Sequence, residues 1–192
     1  MVTALRYRRS ATALLLVAMS GFAQAPPVAH AQGSPSLYDV QAVYLYNFAK
    51  FVRWPAGTPS ATLDICVAGE KTYVDTLTKI VSGEQINTHP LTVRAIQRPE
   101  DVAACGILFI DTSAKDRLDS LIAATAGKPV LTVSDVPGFL DRGGMIQFLL
   151  IDNRVRFAVD LRPVDRSGLA LSSQLLKVAV SVNGKPGGGG AP

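Results

Sequence analysis

The stretch Leu63-Asp64-Ile65-Cys66-Val67-Ala68 is a mostly apolar run that ends at Gly69. Such a run is typical of a strand that is covered on both faces of a sheet. The same patterns predict further strands over 91–96, 106–110 and 130–133, and helices over 72–81 and, capped by Ser113, to about 126. Apolar strands that alternate with helices predict a single α/β domain with a mostly parallel sheet flanked by helices.

The two ends of the domain have their own patterns. Residues 145–151 and 154–160 flank Asp152-Asn153, a pair that favours a tight turn, and predict an antiparallel hairpin. Ser172 or Ser173 then caps a final helix to about Val182. At the amino end, Ser34 and Pro35 suit the start of a helix that runs from Leu37 to Arg53, before Pro55. These end segments add a carboxyl-terminal hairpin and a final helix to the predicted fold.

The first residues have the composition of a secretory signal peptide. Arg6, Arg8 and Arg9 precede a short apolar stretch over 11–19, which is too short to span a bilayer as a helix. Of two small-residue cleavage sites, the one after Ala31 is favoured, because the other places a proline directly after the cut. We therefore expect a signal peptide at 1–31, one domain at 32–184, and a flexible Gly/Pro tail at 185–192.

Net charge does not indicate a nucleic-acid partner. The chain has 19 Lys and Arg against 15 Asp and Glu, a formal charge of +4. Removal of the signal peptide takes three Arg and no acidic residue, which leaves 16 basic and 15 acidic residues and a charge of +1. A nearly neutral domain lacks the basic surface on which nucleic-acid binding depends.

The two cysteines, Cys66 and Cys105, both lie in the predicted mature domain. An even pair in an exported protein favours a disulfide, and two buried free thiols are the alternative. The mature domain has one histidine, His89, in a predicted polar loop, and no closely spaced cysteine pair. The sequence therefore predicts no metal site, no cofactor and no catalytic triad.

Polar residues follow the predicted parallel strands where each strand ends. In an α/β sheet, ligands bind outside the carboxyl ends of the strands. The candidate residues for a small-ligand pocket are Gly69, Glu70, Asp111, Thr112, Ser134 and Asp135. The alternative is that these residues are helix caps and turn formers, since Ser, Asp and Gly commonly have those roles.

Aromatic residues cluster on the first predicted helix. Most must belong to the core, but Tyr46 lies near the helix's polar stripe and Trp54 lies at its end. Because Tyr and Trp are enriched at binding hot spots, these two are the candidates for contact with a partner protein.

The aromatic segment also carries a resemblance to a known family. Residues 44–55 (YLYNFAKFVRWP), 63–69 (LDICVAG) and 168–177 (GLALSSQLLK) resemble the two ends of the YfiR family. The apolar strand at 107–110 lies between them where that family has one. The resemblance covers about residues 38–183, and its end motifs are more specific than its middle.

The resemblance implies a function that composition does not. It implies a periplasmic, non-enzymatic repressor that binds the periplasmic domain of an inner-membrane diguanylate cyclase, or another membrane sensor. Repression would lower cyclic di-GMP and biofilm formation, and an outer-membrane lipoprotein would sequester the repressor. It also implies a homodimer and a disulfide between Cys66 and Cys105, whereas a second cysteine pair of that family has no counterpart here. A periplasmic small-molecule-binding protein or an unrecognised enzyme is the alternative.

Overall fold

The computed structural model of the chain describes residues 35–58 and 61–184. The predicted signal peptide, its cleavage site, the predicted cap Ser34 and the glycine-rich tail lie outside these residues. The strands are β1 (Val52–Arg53), β2 (Leu63–Ala68), β3 (Gln85–Ile86), β4 (His89–Ala95), β5 (Ile107–Ile110), β6 (Leu131–Ser134), β7 (Ile146–Ile151), β8 (Arg154–Asp160), β9 (Ala170–Leu171) and β10 (Ser181–Asn183). The helices are α1 (Leu37–Phe51), α2 (Lys71–Val81), α3 (Leu118–Thr125), α4 (Leu161–Arg166) and α5 (Ser173–Val178), with 3-10 turns at Pro99–Ala104 and Thr112–Arg117.

The main sheet has the strand order β10-β8-β7-β6-β5-β2-β4-β3. Strands β4, β2, β5, β6 and β7 run parallel to their neighbours in that order, and β8 pairs antiparallel with β7. The predicted mixed α/β fold with a mostly parallel sheet and a carboxyl-terminal hairpin is confirmed. The hairpin turn is Asp152-Asn153, where φ is 49° and 56°. Two successive left-handed residues form the turn type that matches the twist of antiparallel strands.

Apolar side chains fill both faces of this sheet. On one face, Leu45 and Phe48 of α1 pack with Phe109, Phe148 and Phe157 of the strands in one continuous cluster. On the other face, the side chains of β2 and β5 pack against α3 and the loops beside it in a second cluster. The central strands therefore have no polar face, which explains why their sequences are almost continuously apolar.

The first helix begins at Leu37, as predicted, but its cap lies two residues after the predicted one. Ser36 is the N-cap: its hydroxyl accepts a hydrogen bond from the Asp39 amide, and the Asp39 carboxylate accepts one from the Ser36 amide. The prediction that Ser34 caps the helix and Pro35 is its first residue is therefore wrong, because both precede Ser36. The helix ends at Phe51 instead of Arg53, because β1 pairs antiparallel with β9.

The carboxyl end also differs from its predicted form. Ser172 caps α5 as one of the two predicted alternatives, accepting a hydrogen bond from the Leu175 amide at 3.2 Å. The helix ends at Val178 rather than Val182. The chain beyond it is extended and β10 pairs parallel with β8, so backbone pairing at the sheet edge replaces the last predicted helical turn.

Cys66 and Cys105 form a disulfide, with 5.7 Å between their Cα atoms. Cys66 lies in the middle of β2, and Cys105 immediately precedes Gly106 and the neighbouring strand β5. The bond therefore connects two adjacent parts of the sheet across a sequence separation of 39 residues. Both cysteines belong to the apolar cluster on the α3 face.

Within residues 35–58 and 61–184, no helix combines the length and the apolarity that crossing a bilayer requires.

Candidate functional site

The carboxyl ends of β2, β5 and β6 lie side by side. Ala68 pairs with Ile110, and Ile110 pairs with Ser134, so the residues that follow these strands are neighbours. The structure thus brings together the six residues that the sequence marks for a small-ligand pocket, at one edge of the sheet. Two positions, Gly69 and Asp111, touch so closely that a Cβ on Gly69 would lie 2.4 Å from the Asp111 Cβ.

Asp111 is almost fully buried, with 2% of its surface exposed. One carboxylate oxygen accepts a hydrogen bond from the Ser113 amide at 2.9 Å and caps the 3-10 turn that follows β5. The other oxygen lies 3.5 Å from the Glu70 amide. The helix predicted to start at a Ser113 cap is therefore wrong at its start: a 3-10 turn capped by Asp111 comes first, and α3 begins at Leu118.

Ser134 has a structural role at this edge. Its hydroxyl donates a hydrogen bond to the Ile110 carbonyl at 2.6 Å and accepts one from the Val136 amide at 3.0 Å. Because both partners are backbone groups, Ser134 fixes the loop after β6 to the end of β5. That bracing sets the position of the next residue, Asp135.

Asp135 links the strand ends to the first helix. One carboxylate oxygen accepts hydrogen bonds from the Thr112 amide and from the Thr112 hydroxyl, both at 2.8 Å. The other oxygen lies 3.4 Å from the Gln41 side-chain nitrogen. Gln41 is a buried polar residue on α1, and its side-chain oxygen has no hydrogen-bond partner among the described residues. Sequence analysis did not identify Gln41; a polar residue on an otherwise apolar helix face is the signal that marks it.

Two tyrosines lie beside the carboxylates. Tyr73 of α2 is fully buried, stacks on Phe109 and meets the edge of the Tyr38 ring at 5.2 Å between centroids. Its hydroxyl has no partner among the described residues. Burial, followed by the charges of Asp135 and Asp111, raises the pKa of Tyr73 well above its usual value. Burial and the charges of Asp111, Glu70 and Asp135 likewise raise the pKa of Tyr38. Both phenols therefore stay protonated at neutral pH.

A cavity of about 220 Å³ opens beside these polar groups. Its polar end is formed by Gln41, Thr112 and Asp135. Its remaining lining is apolar and comes from α1, β7 and β8: Leu37, Phe148, Leu149, Leu150 and Val155. A larger groove of about 490 Å³ shares Leu37, Leu150 and Val155 with the cavity and continues toward the hairpin turn and Arg154.

The polar end of this site is rich in hydrogen-bond acceptors. Within the described part of the chain, no Lys or Arg lies within ion-pair distance of Asp111 or Asp135. The same residues contain no group of three side chains suited to hold a metal ion. The arrangement can therefore accept hydrogen bonds from a donor with positive charge, and it disfavours an anion.

The two partner candidates lie elsewhere, on and after α1. The Tyr46 hydroxyl donates a hydrogen bond to Glu84, and the Lys50 ammonium lies 3.8 Å from the centre of the Tyr46 ring. The Trp54 indole donates to the Gly106 carbonyl at 3.3 Å. Both aromatic side chains are half-buried against the main core cluster. Each is thus held in one orientation and still has an exposed part.

The prediction that His89 lies in a polar loop is wrong. It begins β4 and lies opposite Ile86 of β3. It also lines a small pocket of about 180 Å³ with Trp54, Arg53 and Asn87. The polar segment before Pro90 is therefore a short antiparallel edge rather than a solvated loop.

Comparisons with known proteins match this chain to one family and to distant folds. A family model described as YfiR/HmsC-like matches residues 38–180. A solved structure of a conserved domain protein from Vibrio cholerae O1 biovar El Tor strain N16961 is similar with a TM-score of 0.53 and 9% identity over 77% of this chain. The structure of an ABC domain in complex with L-Trp from Streptococcus pneumoniae has a TM-score of 0.52 and 10% identity over 76% of this chain. This chain spans 60% of the length of each of these two proteins, and the likeness shows the fold alone.

Proposed function

Because the chain belongs to the YfiR/HmsC-like family, we propose that it is a periplasmic, non-enzymatic regulator that binds and represses an inner-membrane diguanylate cyclase. The consequence is a lower level of cyclic di-GMP and less biofilm formation. The family match over residues 38–180 is the observation that carries this proposal. The disulfide between Cys66 and Cys105 supports an oxidising compartment such as the periplasm.

The outer face of α1 is the proposed contact surface. Val43, Tyr46 and Lys50 follow one another at the spacing of one helix face, and Val43 is 46% exposed. Trp54 lies beyond the end of this helix, directly after β1. The contacts of Tyr46 with Lys50 and Glu84, and of Trp54 with the Gly106 carbonyl, fix the two rings before any partner arrives. Rigid aromatic anchors lose little conformational entropy on binding, which favours affinity.

The energy that repression requires is within reach of such a surface. A shift of a partner from about 1:99 to 99:1 in favour of its inactive state needs roughly 5.5 kcal/mol of differential binding. Hot-spot residues each contribute about 2 kcal/mol or more when truncated. About three anchors that contact only the inactive state therefore suffice, and no catalytic group is needed.

A photo-crosslinking residue tests this surface in cells. Placed at Val43, it should capture a membrane protein that carries a diguanylate cyclase domain. The matched control is Ala123, which is exposed on α3 at the opposite face of the sheet. Equal capture from both positions, or capture of no membrane protein from Val43, would contradict the proposed contact.

Two further interactions belong to the same proposal. An outer-membrane lipoprotein would sequester the regulator and relieve repression, and the regulator would form a homodimer. Light scattering on the purified mature domain measures the second directly, and a purely monomeric domain at micromolar concentration would remove the homodimer from the proposal.

A further inference from the structure

We propose that the cavity between the start of α1 and the carboxyl ends of β5 and β6 binds a small primary amine, in its ammonium form, that carries a short apolar group. The juxtaposition that carries this inference is a buried, unpartnered amide oxygen beside a carboxylate at one end of a cavity whose other walls are apolar. The site is separate from the proposed contact face of α1, and the inference does not depend on the proposed repressor role.

The polar end presents acceptors to a donor. Gln41 has 2% of its surface exposed, lines the cavity, and has an oxygen that accepts no hydrogen bond from any described residue. A buried polar atom without a partner costs about 1–3 kcal/mol, so a ligand that supplies a donor there gains that amount back. Asp135 lies within 3.4 Å of the same side chain and supplies a negative charge. An ammonium group provides three N–H donors together with the complementary charge.

The charge around the cavity selects against other ligands. Asp135 lines the cavity and Asp111 lies at the neighbouring strand end, so an anion would meet repulsion from negative charge. Arg154 lines the adjoining groove and is not among the residues that line the cavity. Within the described residues, no set of three ligating side chains is present for a metal ion. A monovalent organic cation is the class that matches one free amide oxygen and a nearby carboxylate.

The apolar walls determine the rest of the ligand. The apolar lining of the cavity includes Phe148, Leu149, Leu150 and Val155, and Leu150 is 62% exposed. A bound aliphatic group would cover part of that exposed surface, which is favourable in water. The cavity's volume of about 220 Å³ is below the usual range for drug-sized ligands, so only a short chain fits.

Isoamylamine, a primary amine with a short branched chain, is the probe that tests this site. Titrated into the isotopically labelled mature protein, it should bind saturably in the millimolar range or tighter, and shift the NMR signals of Gln41, Thr112 and Asp135. Isoamyl alcohol has the same chain without the charge and should bind at least about tenfold more weakly, since charge-assisted hydrogen bonds are about twice as strong as neutral ones.

Two variants connect binding to the proposed groups. Asp135→Asn keeps an oxygen for the Thr112 amide and removes the charge, and Gln41→Leu removes the free oxygen while keeping a similar size. Each should weaken isoamylamine binding about tenfold or more. Asp165→Asn makes the same charge change at an exposed position of α4 that does not line the cavity, and should leave binding unchanged.

Three results would overturn the proposal: no saturable binding of isoamylamine to the wild-type protein, equal binding of the alcohol and the amine, or unchanged binding in a folded Asp135→Asn protein. All three measurements use the isolated domain, so they leave the repressor proposal untouched.

Discussion

At the scale of single residues, a few specific side-chain contacts, both local and long-range, hold the strand ends and loops in place. Asp160 caps α4 by accepting a hydrogen bond from the Arg162 amide at 2.9 Å, and it also pairs with the Arg162 guanidinium. Cys66 and Cys105 join two neighbouring strands. Asp64 ties β2 to β4 through Thr92 and Arg94. These contacts allow predictions about stability that are independent of function.

The first prediction concerns the disulfide. In the chain-entropy view, a bond that closes a loop of about 40 residues stabilises the folded state by roughly 4 kcal/mol. Cys66→Ser should therefore lower the melting temperature strongly, since a domain has only about 5–15 kcal/mol of total stability. The double variant Cys66→Ala with Cys105→Ala controls for the lone thiol of the single variant. A melting temperature within experimental error of wild type, or free thiols in denatured, unreduced wild-type protein, would contradict this prediction.

The second prediction concerns acid stability. The Arg162 guanidinium, acting against the effect of burial, holds the pKa of Asp160 below its usual value. A carboxyl whose pKa is lower in the folded state stabilises fully above its unfolded pKa of about 3.9, and that contribution is lost as the pH falls through the folded value. Asp160→Asn should therefore reduce stability at neutral pH and flatten the loss of stability below about pH 4.

Thermal melts of wild type and variant between neutral and acid pH measure this effect. Asp116→Asn, at an exposed position, is the matched control and should reproduce the wild-type pH profile. Parallel pH profiles for wild type and Asp160→Asn would show that the pair with Arg162 contributes nothing to the pH dependence.

At the scale of elements, sequence patterns identified the parts of the fold that are set by local chemistry. The long apolar strands β2 and β5 and the hairpin turn at Asp152-Asn153 were predictable because burial on both faces and left-handed backbone each demand particular residue types. The two-residue strands β1 and β9 were not predictable, since pairing across more than a hundred residues creates them. Strand β10 was missed because its sequence continues a helical pattern, whereas its backbone pairs with β8, as Ser181 with Ala158.

The candidate site was predictable only in part, for a related reason. Residues that follow parallel strands meet at one edge, so Asp111 and Asp135 could be found by position along the chain. Gln41 and Tyr73 come from helices that pack over that edge. Their proximity to Asp135 depends on how α1 and α2 pack on the sheet, which no local pattern encodes.

The third prediction tests the hairpin as an element. Asn153 has a φ of 56°, in the left-handed region, where a β-branched residue is strained by about 1–2 kcal/mol. Asn153→Val should therefore lower the free energy of unfolding by roughly that amount, and Asn153→Gly should be neutral or slightly stabilising. Denaturant unfolding of both variants measures the difference. If valine and glycine gave the same stability, the turn would not have the left-handed backbone described.

At the scale of the whole molecule, the domain has two separate faces with different proposed uses. One is the outer face of α1 with Val43, Tyr46 and Trp54, which is proposed to contact the membrane partner. The other is the cavity at the strand ends, which is proposed to take an amine. Since α1 contributes Gln41 to the cavity and Tyr46 to the contact face, a ligand in the cavity lies within two helical turns of the partner surface.

The fourth prediction separates the two aromatic anchors from the rest of the contact face. Tyr46→Ala and Trp54→Ala should each weaken repression, because each removes a half-buried ring from the proposed surface. Trp54→Phe keeps an aromatic ring but loses the hydrogen bond to the Gly106 carbonyl. Comparison with Trp54→Ala therefore separates the contribution of the ring from that of the hydrogen bond. A folded Trp54→Ala protein that represses normally would remove Trp54 from the interface, and the same outcome for Tyr46→Ala would remove Tyr46.

Intracellular cyclic di-GMP, measured after deletion of the gene and after its restoration, tests the central claim most directly. If the protein represses a diguanylate cyclase, deletion should raise cyclic di-GMP, and the wild-type gene should return it to the starting level. Restoration with a version that lacks residues 1–31 should fail, because the regulator would then remain on the wrong side of the membrane. Unchanged cyclic di-GMP after deletion, under every growth condition in which the protein is present, would contradict the account.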